Sequence, residues 1–277
     1  MPYIEKTTGT SESNIKLYYE DYGSGKPIIL IHGWPLSSAM WEYQVPVLID
    51  AGYRVITYDR RGFGNSSRPY DNYNYSSMSQ DLHDIITKLS LNEITLVGFS
   101  MGGGEIGKYV EKYGTSTLQK LIFISSIAPF MLKTEDNPDG VPEEVFENMK
   151  EEVKKDRAGF LTGFGENFVN YDDNVDKVSS GQLDYNFNIA AGASPKGTLD
   201  CIDAFGKTDL RDALKSIDIP TLFIHGDADN IVPSKPTSEQ GHQLVKDSKL
   251  EMIKGAPHGL YLTHQEELHK IVLDFLK

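Results

Sequence analysis

The chain has 277 residues, a formal net charge of −13 and a single cysteine, Cys201. This length allows one large α/β domain or two smaller domains. The negative charge argues against nucleic acid or an anionic membrane surface as a partner, because both attract basic patches. A single cysteine excludes an internal disulfide, and we interpret Cys201 as a small core residue.

The N-terminal residues and the hydropathy of the chain bear on its location. Residues 1–8 lack the basic and apolar regions of a secretory signal, and no apolar run approaches the ~20 residues needed to span a bilayer. We therefore expect a cytoplasmic protein without a membrane partner. Histidine, cysteine and carboxylates do not occur at metal-ligand spacings such as H-E-x-x-H or C-x-x-C, so no metal site is expected.

The first half of the chain alternates between predicted strands and helices. Residues 14–22 alternate in polarity before a Gly-Ser-Gly turn, which is typical of an antiparallel edge strand. Apolar runs predict strands buried on both faces at 27–32, 53–59, 94–99 and 121–126. Amphipathic spacing predicts helices over 38–48, 76–89 and 105–113. Such alternation indicates a mostly parallel sheet covered by helices on both faces.

The alternation stops after Ala128 and resumes near residue 218. The intervening segment contains no run typical of a buried strand, and it predicts helices over 142–156, 157–168, 181–193 and 195–205. Strands at 219–225 and 249–253 and helices at 236–244 and 260–275 follow. We therefore predict an α/β core formed by residues 1–128 and 218–277, and a helical insert formed by residues 129–217.

The central strand leads into the sequence Gly98-Phe-Ser100-Met-Gly102, a G-x-S-x-G pattern. A strand runs directly into a helix here, which is the context that a nucleophile elbow requires. Glycines permit this tight turn because larger side chains would collide across it. The turn would hold the Ser100 hydroxyl at the tip of the sheet, close to the first N–H groups of the helix.

The same region offers a competing pattern, because Gly102-x-Gly104-x-x-Gly107 fits the dinucleotide-binding motif G-x-G-x-x-G. These glycines lie after the strand and within the start of the helix. The next strand, at 121–126, also ends without the acidic residue that binds a ribose in dinucleotide sites. Both features disfavour the dinucleotide interpretation.

Three residue types follow predicted strands at the carboxyl edge of the sheet, where open parallel sheets bind ligands. Ser100 follows the central strand, Asp227 and Asp229 follow the seventh, and His258 follows the eighth. The order serine, aspartate, histidine along the chain is that of the elbow-type hydrolases. A serine needs an adjacent base to act as a nucleophile, so we expect His258 within hydrogen-bonding distance of Ser100.

These stretches together identify a resemblance to the α/β-hydrolase superfamily over nearly the whole chain. More narrowly, the sequence resembles the cofactor-free bacterial haloperoxidase and aryl-esterase group. The matching stretches are His32-Gly-Trp-Pro-Leu36, Tyr58-Asp-Arg-Arg-Gly-Phe-Gly-Asn-Ser66, Gly98-Phe-Ser-Met-Gly-Gly103, His225-Gly-Asp-Ala-Asp-Asn-Ile-Val-Pro233 and Pro257-His-Gly259. The resemblance implies a mostly parallel eight-stranded sheet with helices on both faces, and it makes the helical insert a cap over the active site.

The resemblance also assigns roles to residues. Ser100 is the implied nucleophile, His258 its base and Asp229 the residue that orients the imidazole and stabilises its charged form. The N–H groups of Trp34 and Met101 are the implied oxyanion hole. Asp227, His32 and His225 are interpreted as residues that brace loops. The apolar side chains Pro35, Phe130, Phe160, Phe164 and Ile231 are candidates for the substrate pocket.

Pro35 accompanies perhydrolysis in the resembled haloperoxidases. The implied function is a serine esterase without a cofactor that also transfers acyl groups to hydrogen peroxide. The resulting peracid then oxidises bromide or chloride. The implied partners are an ester or short-chain carboxylic acid, hydrogen peroxide and halide, with a homo-oligomer left open. A carbon–carbon bond hydrolase and a non-catalytic small-molecule receptor on the same fold remain alternatives. The receptor alternative predicts binding without covalent labelling.

Overall fold

The computed structural model describes residues 3–5 and 15–277, and in these residues eight strands form a single sheet. The spatial order is β1-β2-β4-β3-β5-β6-β7-β8. The six strands β4, β3, β5, β6, β7 and β8 are parallel to one another. Strand β2 pairs antiparallel with both of its neighbours, β1 and β4. The strands are Tyr3–Glu5 (β1), Lys16–Gly23 (β2), Pro27–Ile31 (β3), Arg54–Tyr58 (β4), Ile94–Phe99 (β5), Leu118–Ile124 (β6), Thr221–Gly226 (β7) and Ser248–Ile253 (β8). The predicted mostly parallel, eight-stranded sheet is confirmed.

Helices cover both faces of this sheet. The α-helices of the described residues are Gln44–Asp50 (α1), Tyr75–Lys88 (α2), Met101–Tyr113 (α3), Glu143–Phe168 (α4), Ser180–Ala191 (α5), Pro195–Lys207 (α6), Arg211–Lys215 (α7), Gln240–Leu244 (α8), Leu260–Thr263 (α9) and Gln265–Leu276 (α10). A π-helical turn, Lys235–Glu239, precedes α8. No helix in the described part of the chain combines the length and apolar character needed to span a membrane.

The structure corrects several predicted boundaries. The strand predicted at 14–22 is β2, and it is not an edge strand because β1 pairs with its outer side; residue 14 itself lies outside the described residues. The helix predicted over 38–48 is divided into a 3-10 turn at Ser38–Trp41 and α1. The helix predicted over 260–275 is interrupted at His264, whose φ of −131° is not helical.

Side chains alternate between two apolar layers on either side of the sheet. Leu96 of β5 packs in the same buried cluster as Phe123 of the neighbouring strand β6 and Phe223 of β7, the strand beyond it. Val97, the next residue, belongs to the buried cluster on the other face. Both faces are therefore covered, which explains why these strands are continuous apolar runs in the sequence.

Helices α4 to α7 lie between β6 and β7 in the chain. α4 contains a non-helical residue, Asp156, at the boundary between the helices predicted over 142–156 and 157–168. A third buried cluster joins α4 and α6 to Trp34 and Met101. The division into a core of residues 1–128 and 218–277 and a helical insert of residues 129–217 stays a prediction.

Candidate active site

Ser100 lies between the last residue of β5 and the first residue of α3. Its backbone has φ 52° and ψ −118°, a conformation that side-chain-bearing residues rarely adopt. A Cβ atom on Gly98 would lie 2.7 Å from the backbone of Gly102, and one on Gly102 would lie 2.4 Å from the Ile31 carbonyl oxygen. Both glycines are therefore required by the close approach of the backbone at this turn.

The glycines of the competing dinucleotide pattern lie inside α3 and serve its packing. A Cβ atom on Gly104 would lie 2.3 Å from the Tyr75 ring, and one on Gly107 would lie 3.1 Å from Leu210. Gly102 faces the end of β3 as described above. Protein atoms fill the space beside all three glycines, where a phosphate would have to bind. These glycines therefore serve helix packing rather than a dinucleotide site.

The Ser100 hydroxyl lies 3.0 Å from Nε2 of His258, and both residues are buried. His258 follows β8 in a short loop. Its ring packs against Phe99 and Phe168, with centroid distances of 5.0 and 4.8 Å. Two aromatic rings therefore fix the plane of the imidazole that faces the serine.

Asp229 lies behind His258, with Oδ2 2.7 Å from Nδ1 of the imidazole. Oδ1 accepts hydrogen bonds from the backbone N–H groups of Ile231 and Val232 at 2.9 and 2.8 Å. Burial raises the pKa of the Asp229 carboxyl, but attraction to His258 and hydrogen bonds from His225 and His258 outweigh it and hold that pKa below its usual value. The ionised carboxylate accepts a hydrogen bond from Nδ1–H of His258, which leaves Nε2 free to accept a hydrogen bond from the Ser100 hydroxyl.

The other aspartate, Asp227, is exposed and does not contact either His258 or Ser100 within the described residues. Its Oδ1 accepts a hydrogen bond from the Gly255 N–H at 2.5 Å, across the loop that follows β8. Asp227 therefore links the loops that follow β7 and β8, as expected of a bracing residue.

A second imidazole also contacts the Asp229 carboxylate, and the sequence analysis did not predict this contact. Nε2 of His225 lies 3.2 Å from Oδ2 of Asp229 and 2.9 Å from the Val232 carbonyl oxygen. Both are acceptors, so Nε2 carries the proton. Nδ1, 2.7 Å from the Ser238 hydroxyl, accepts from it. His225 is completely buried and braces the loop after β7 as well as the carboxylate.

Trp34 and Met101 both belong to the third buried cluster, and Trp34 lines the same cavity as Ser100. Met101 is the first residue of α3, so its N–H has no partner within the helix. In the described residues neither this N–H nor that of Trp34 makes a hydrogen bond. The Trp34 indole donates to the Thr198 carbonyl oxygen of α6 at 3.0 Å. The backbone N–H groups of both implied oxyanion residues are therefore unpaired, and their role as an oxyanion hole stays a prediction.

A cavity of about 220 Å³ opens at Ser100, and we call it the serine cavity. Most of its walls are apolar side chains from the helical insert, and the polar side chains at its wall besides Ser100 are Asn167 and Asn230. It is lined by Trp34, Ser100, Ile127, Met131, Val141, Val145, Phe146, Met149, Phe160, Phe164, Asn167, Phe205, Asn230, Ile231 and Val232. Three of the five predicted pocket side chains, Phe160, Phe164 and Ile231, thus line it.

A larger cavity of about 410 Å³ lies beside α4 and α5. It is lined by Pro35, Leu36, Leu161, Thr162, Phe164, Gly165, Glu166, Phe168, Tyr171, Ser180, Leu183, Asp184, Asn186, Phe187 and Ala190. Pro35 lines this cavity and not the serine cavity. Phe130 lines neither of these two cavities, and its ring packs under the Arg211 guanidinium at 5.0 Å. A role for Phe130 in substrate binding stays a prediction.

Comparison with known proteins now adds to this geometry. Residues 26–265 match the family described as alpha/beta hydrolase fold. The chain belongs to the α/β-hydrolases. It is 39% identical to the non-heme chloroperoxidase CPO-A1 of Kitasatospora aureofaciens, over 96% of this chain and 98% of that protein. It is 34% identical to the bifunctional esterase/perhydrolase DCH of Acinetobacter calcoaceticus, over 97% and 98%.

A solved structure extends the similarity. The crystal structure of bromoperoxidase from Bacillus anthracis superposes with a TM-score of 0.93 and 50% sequence identity, covering 96% of each chain. These relatives place this α/β-hydrolase in the cofactor-free haloperoxidase group, as the sequence resemblance predicted, and establish that it is an enzyme of that group.

A buried ion pair supports the active-site loops of this hydrolase. Arg60 and Glu105 are joined by Nε and Oε2 at 2.8 Å, and neither side chain is exposed. Nη2 of Arg60 also donates to the His32 carbonyl oxygen at 2.8 Å, and the Tyr58 hydroxyl donates to Glu105. Nε2 of His32 accepts from the Arg60 N–H at 3.0 Å. The ion pair thus connects α3, which follows Ser100, to the residues that precede Trp34.

Several residues of the hydrolase site were not predicted from the sequence. The residues between 127 and 149 that line the serine cavity, together with Phe205 and Val232, are apolar. Nothing else in the sequence distinguishes them from ordinary core residues. The contact of His225 with Asp229 depends on how the loop after β7 folds back. The proximity of His225 and Asp229 in the sequence, four residues apart, was the only available indication.

Proposed function

We propose that the chain is a serine esterase that forms an acyl-enzyme on Ser100 and also transfers the acyl group to hydrogen peroxide. The observation that carries the proposal is the hydrogen-bonded series from Ser100 through His258 to Asp229, with distances of 3.0 and 2.7 Å, at the wall of an apolar cavity. The printed names of two relatives, an esterase/perhydrolase and a non-heme chloroperoxidase, support it.

In the proposed acylation, the Ser100 oxygen attacks the ester carbonyl carbon while Nε2 of His258 accepts the hydroxyl proton. The N–H groups of Trp34 and Met101 stabilise the negative oxygen of the tetrahedral intermediate. When the intermediate collapses, the carbon–oxygen bond to the alcohol breaks and His258 returns the proton to the leaving alcohol. Asp229 stabilises the charged imidazole throughout.

Deacylation repeats these steps with a second nucleophile. Water gives the carboxylic acid, and hydrogen peroxide gives the peracid, in each case with His258 as the base. The peracid then oxidises bromide in solution to hypobromous acid and is itself reduced to the carboxylate. Because this oxidation takes place after release of the peracid, the protein needs no halide site. Pro35 adjoins the oxyanion segment, and its link to peroxide use remains a prediction.

Two assays on one set of variants test the proposal. The first follows hydrolysis of p-nitrophenyl acetate, and the second follows bromide-dependent halogenation with peroxide in acetate buffer, both after treatment with a chelator. Ser100→Ala should lower both rates by at least about 10⁴-fold, since the nucleophile is lost. A fluorophosphonate should add one phosphonyl group to the wild type and none to Ser100→Ala.

Ser125→Ala provides a matched control, because Ser125 is also buried at the end of a strand but its hydroxyl has no hydrogen-bond partner in the described residues. This variant should retain both activities. Halogenation that persists at the full rate in Ser100→Ala would refute the peracid route. Ligand binding without phosphonylation of the wild type would favour the receptor alternative.

A further inference from the structure

One residue separates the two cavities. Among the described residues, Phe164 alone lines both the serine cavity and the larger cavity. Its ring packs edge-to-face against Trp34, with centroids 5.3 Å apart, and stacks on Phe160 at 5.7 Å. The boundary between the two spaces therefore depends on the position of this single side chain.

The backbone that carries Phe164 is a weak helix. It belongs to the part of α4 that follows the non-helical Asp156, and Phe164 is flanked by Gly163 and Gly165. A Cβ atom at either glycine would meet no heavy atom within 4 Å, so packing does not require glycine there. Glycine is among the least favourable residues within a helix. The two glycines thus lower the cost of moving Phe164 without serving any contact.

The larger cavity lies on the His258 side of the site. Phe168 lines this cavity, and its ring packs edge-on against the His258 imidazole at 4.8 Å. In the proposed mechanism His258 gives its proton to the leaving alcohol, so that alcohol must lie next to His258. Pro35, beside the oxyanion residue Trp34, also lines the cavity. The larger cavity therefore lies next to the position of the leaving group, with Phe164 between this cavity and the serine cavity.

We propose that the larger cavity binds the apolar alcohol half of an ester, and that Phe164 determines whether a bulky alcohol can enter it. This inference rests on the proposed function and specifies its substrate class. A cavity of about 150 Å³ can hold benzene, so 410 Å³ can hold a bicyclic aromatic or long alkyl group. The lining includes Glu166 and Asp184 but no basic side chain, which favours a neutral alcohol over an anionic one.

The test compares esters that differ in only one half. Ethyl acetate and 2-(2-naphthyl)ethyl acetate share the acyl group and release primary alcohols of similar reactivity, and acid release is followed by pH-stat. Phe164→Ala should raise the ratio of kcat/KM for the naphthylethyl ester over the ethyl ester about 10-fold, because it joins the two cavities. Gly163→Ala, which strengthens the helix, should lower the ratio several-fold.

Phe160→Ala is the matched control. Phe160 lies one helical turn earlier, also packs against Trp34, at 6.2 Å, and lines only the serine cavity. This variant should lose a similar aromatic contact without raising the ratio. A second series, ethyl acetate against ethyl hexanoate, varies the acyl half, and Phe164→Ala should leave its ratio within about twofold of the wild type.

Binding of the free alcohol separates this proposal from the proposed function. The naphthalene fluorescence of 2-(2-naphthyl)ethanol reports binding without catalysis, and Leu183→Trp, which fills the larger cavity, should weaken it at least 10-fold. If the wild type has no esterase activity but this binding pattern holds, the proposed function fails and the alcohol site stands. If Phe164→Ala changes the acyl series instead, or neither series, or if Leu183→Trp binds like the wild type, the alcohol site is refuted.

Discussion

His225 and Asp229 share a hydrogen bond that brings a second imidazole to the carboxylate facing His258. Nε2 of His225 lies 3.2 Å from the same Oδ2 atom that lies 2.7 Å from Nδ1 of His258. Because His225 donates to this oxygen, it helps to hold the carboxylate at the point where it accepts from Nδ1–H of His258. The orientation of the proposed catalytic histidine therefore depends on a residue that does not contact Ser100.

Replacing His225 should slow catalysis. His225→Leu removes a hydrogen bond that holds the Asp229 carboxylate, so kcat for p-nitrophenyl acetate should fall by about 10-fold, equivalent to one charge-assisted hydrogen bond. His225→Gln retains an N–H donor and should lose less activity. Thermal unfolding of each variant controls for loss of structure. An unchanged kcat in folded His225→Leu would limit His225 to bracing the loop.

Asp229 and Asp227 form a natural pair for mutation. Asp229→Asn keeps the shape but removes the charge that orients His258, so kcat should fall by about 10⁴-fold. Asp227→Asn should stay within about threefold of the wild type, because Asp227 is exposed and only accepts from the Gly255 N–H. Steady-state hydrolysis of p-nitrophenyl acetate measures both. Equal losses in the two variants would contradict the assignment of Asp229.

The buried Arg60–Glu105 ion pair should be important for stability. Glu105→Gln leaves the Arg60 charge buried without its partner, which should cost about 3–5 kcal/mol of unfolding free energy. Asp274→Asn removes the partner of two exposed lysines and should change it by less than about 1 kcal/mol. Urea unfolding of both variants gives the comparison. A cost below about 1 kcal/mol for Glu105→Gln would contradict the prediction.

His32 should make the protein less stable in mild acid. Burial, with a contribution from Arg60, holds the pKa of the His32 imidazole well below its usual value, and its Nε2 accepts from the Arg60 N–H. The unfolded chain binds a proton at His32 near pH 6.5 while the folded protein does not. The unfolding free energy should therefore fall as pH drops below about 6.5, by up to about 1.4 kcal/mol per unit.

The variant His32→Gln isolates this effect, since glutamine can still accept from the Arg60 N–H but does not titrate. Urea unfolding at pH 7.5 and 5.5 should show a smaller decrease for the variant than for the wild type. The stabilisation from Asp229, whose carboxyl pKa is lowered, is lost only at pH below about 4 and does not overlap this window. Identical decreases in the two proteins would mean that His32 is not the responsible group.

Much of the fold could be predicted because strands buried on both faces leave continuous apolar runs, as at Ile94–Phe99. The three-residue strand Tyr3–Glu5 could not, because it is too short to show a period and forms only through pairing with β2. The break at His264 was also missed, since the apolar spacing continues across it. Tertiary contacts decide such short elements, whereas local patterns decide the long ones.

The site divides in the same way. Ser100 could be singled out because the steric demands of a tight strand-to-helix turn impose glycines around it, and these are visible in the sequence. The choice between Asp227 and Asp229 needed a family resemblance, because both follow the same strand. The contact of Phe130 with Arg211 could not be predicted, because an aromatic residue in the helical insert has the same sequence pattern whether it faces a cavity or packs on a guanidinium.

The indole of Trp34 donates to the Thr198 carbonyl oxygen, so a residue beside the nucleophile is anchored to α6 of the helical insert. Chimeras that exchange this insert between homologous enzymes in order to alter selectivity would also exchange the anchor. The transplanted insert would need a carbonyl oxygen at the position of the Thr198 carbonyl, so that the Trp34 indole keeps its partner. Chimeras without this oxygen should be slow catalysts, whatever substrates their cavities can bind. Engineering by segment exchange in this scaffold should accordingly keep α6 with the host chain.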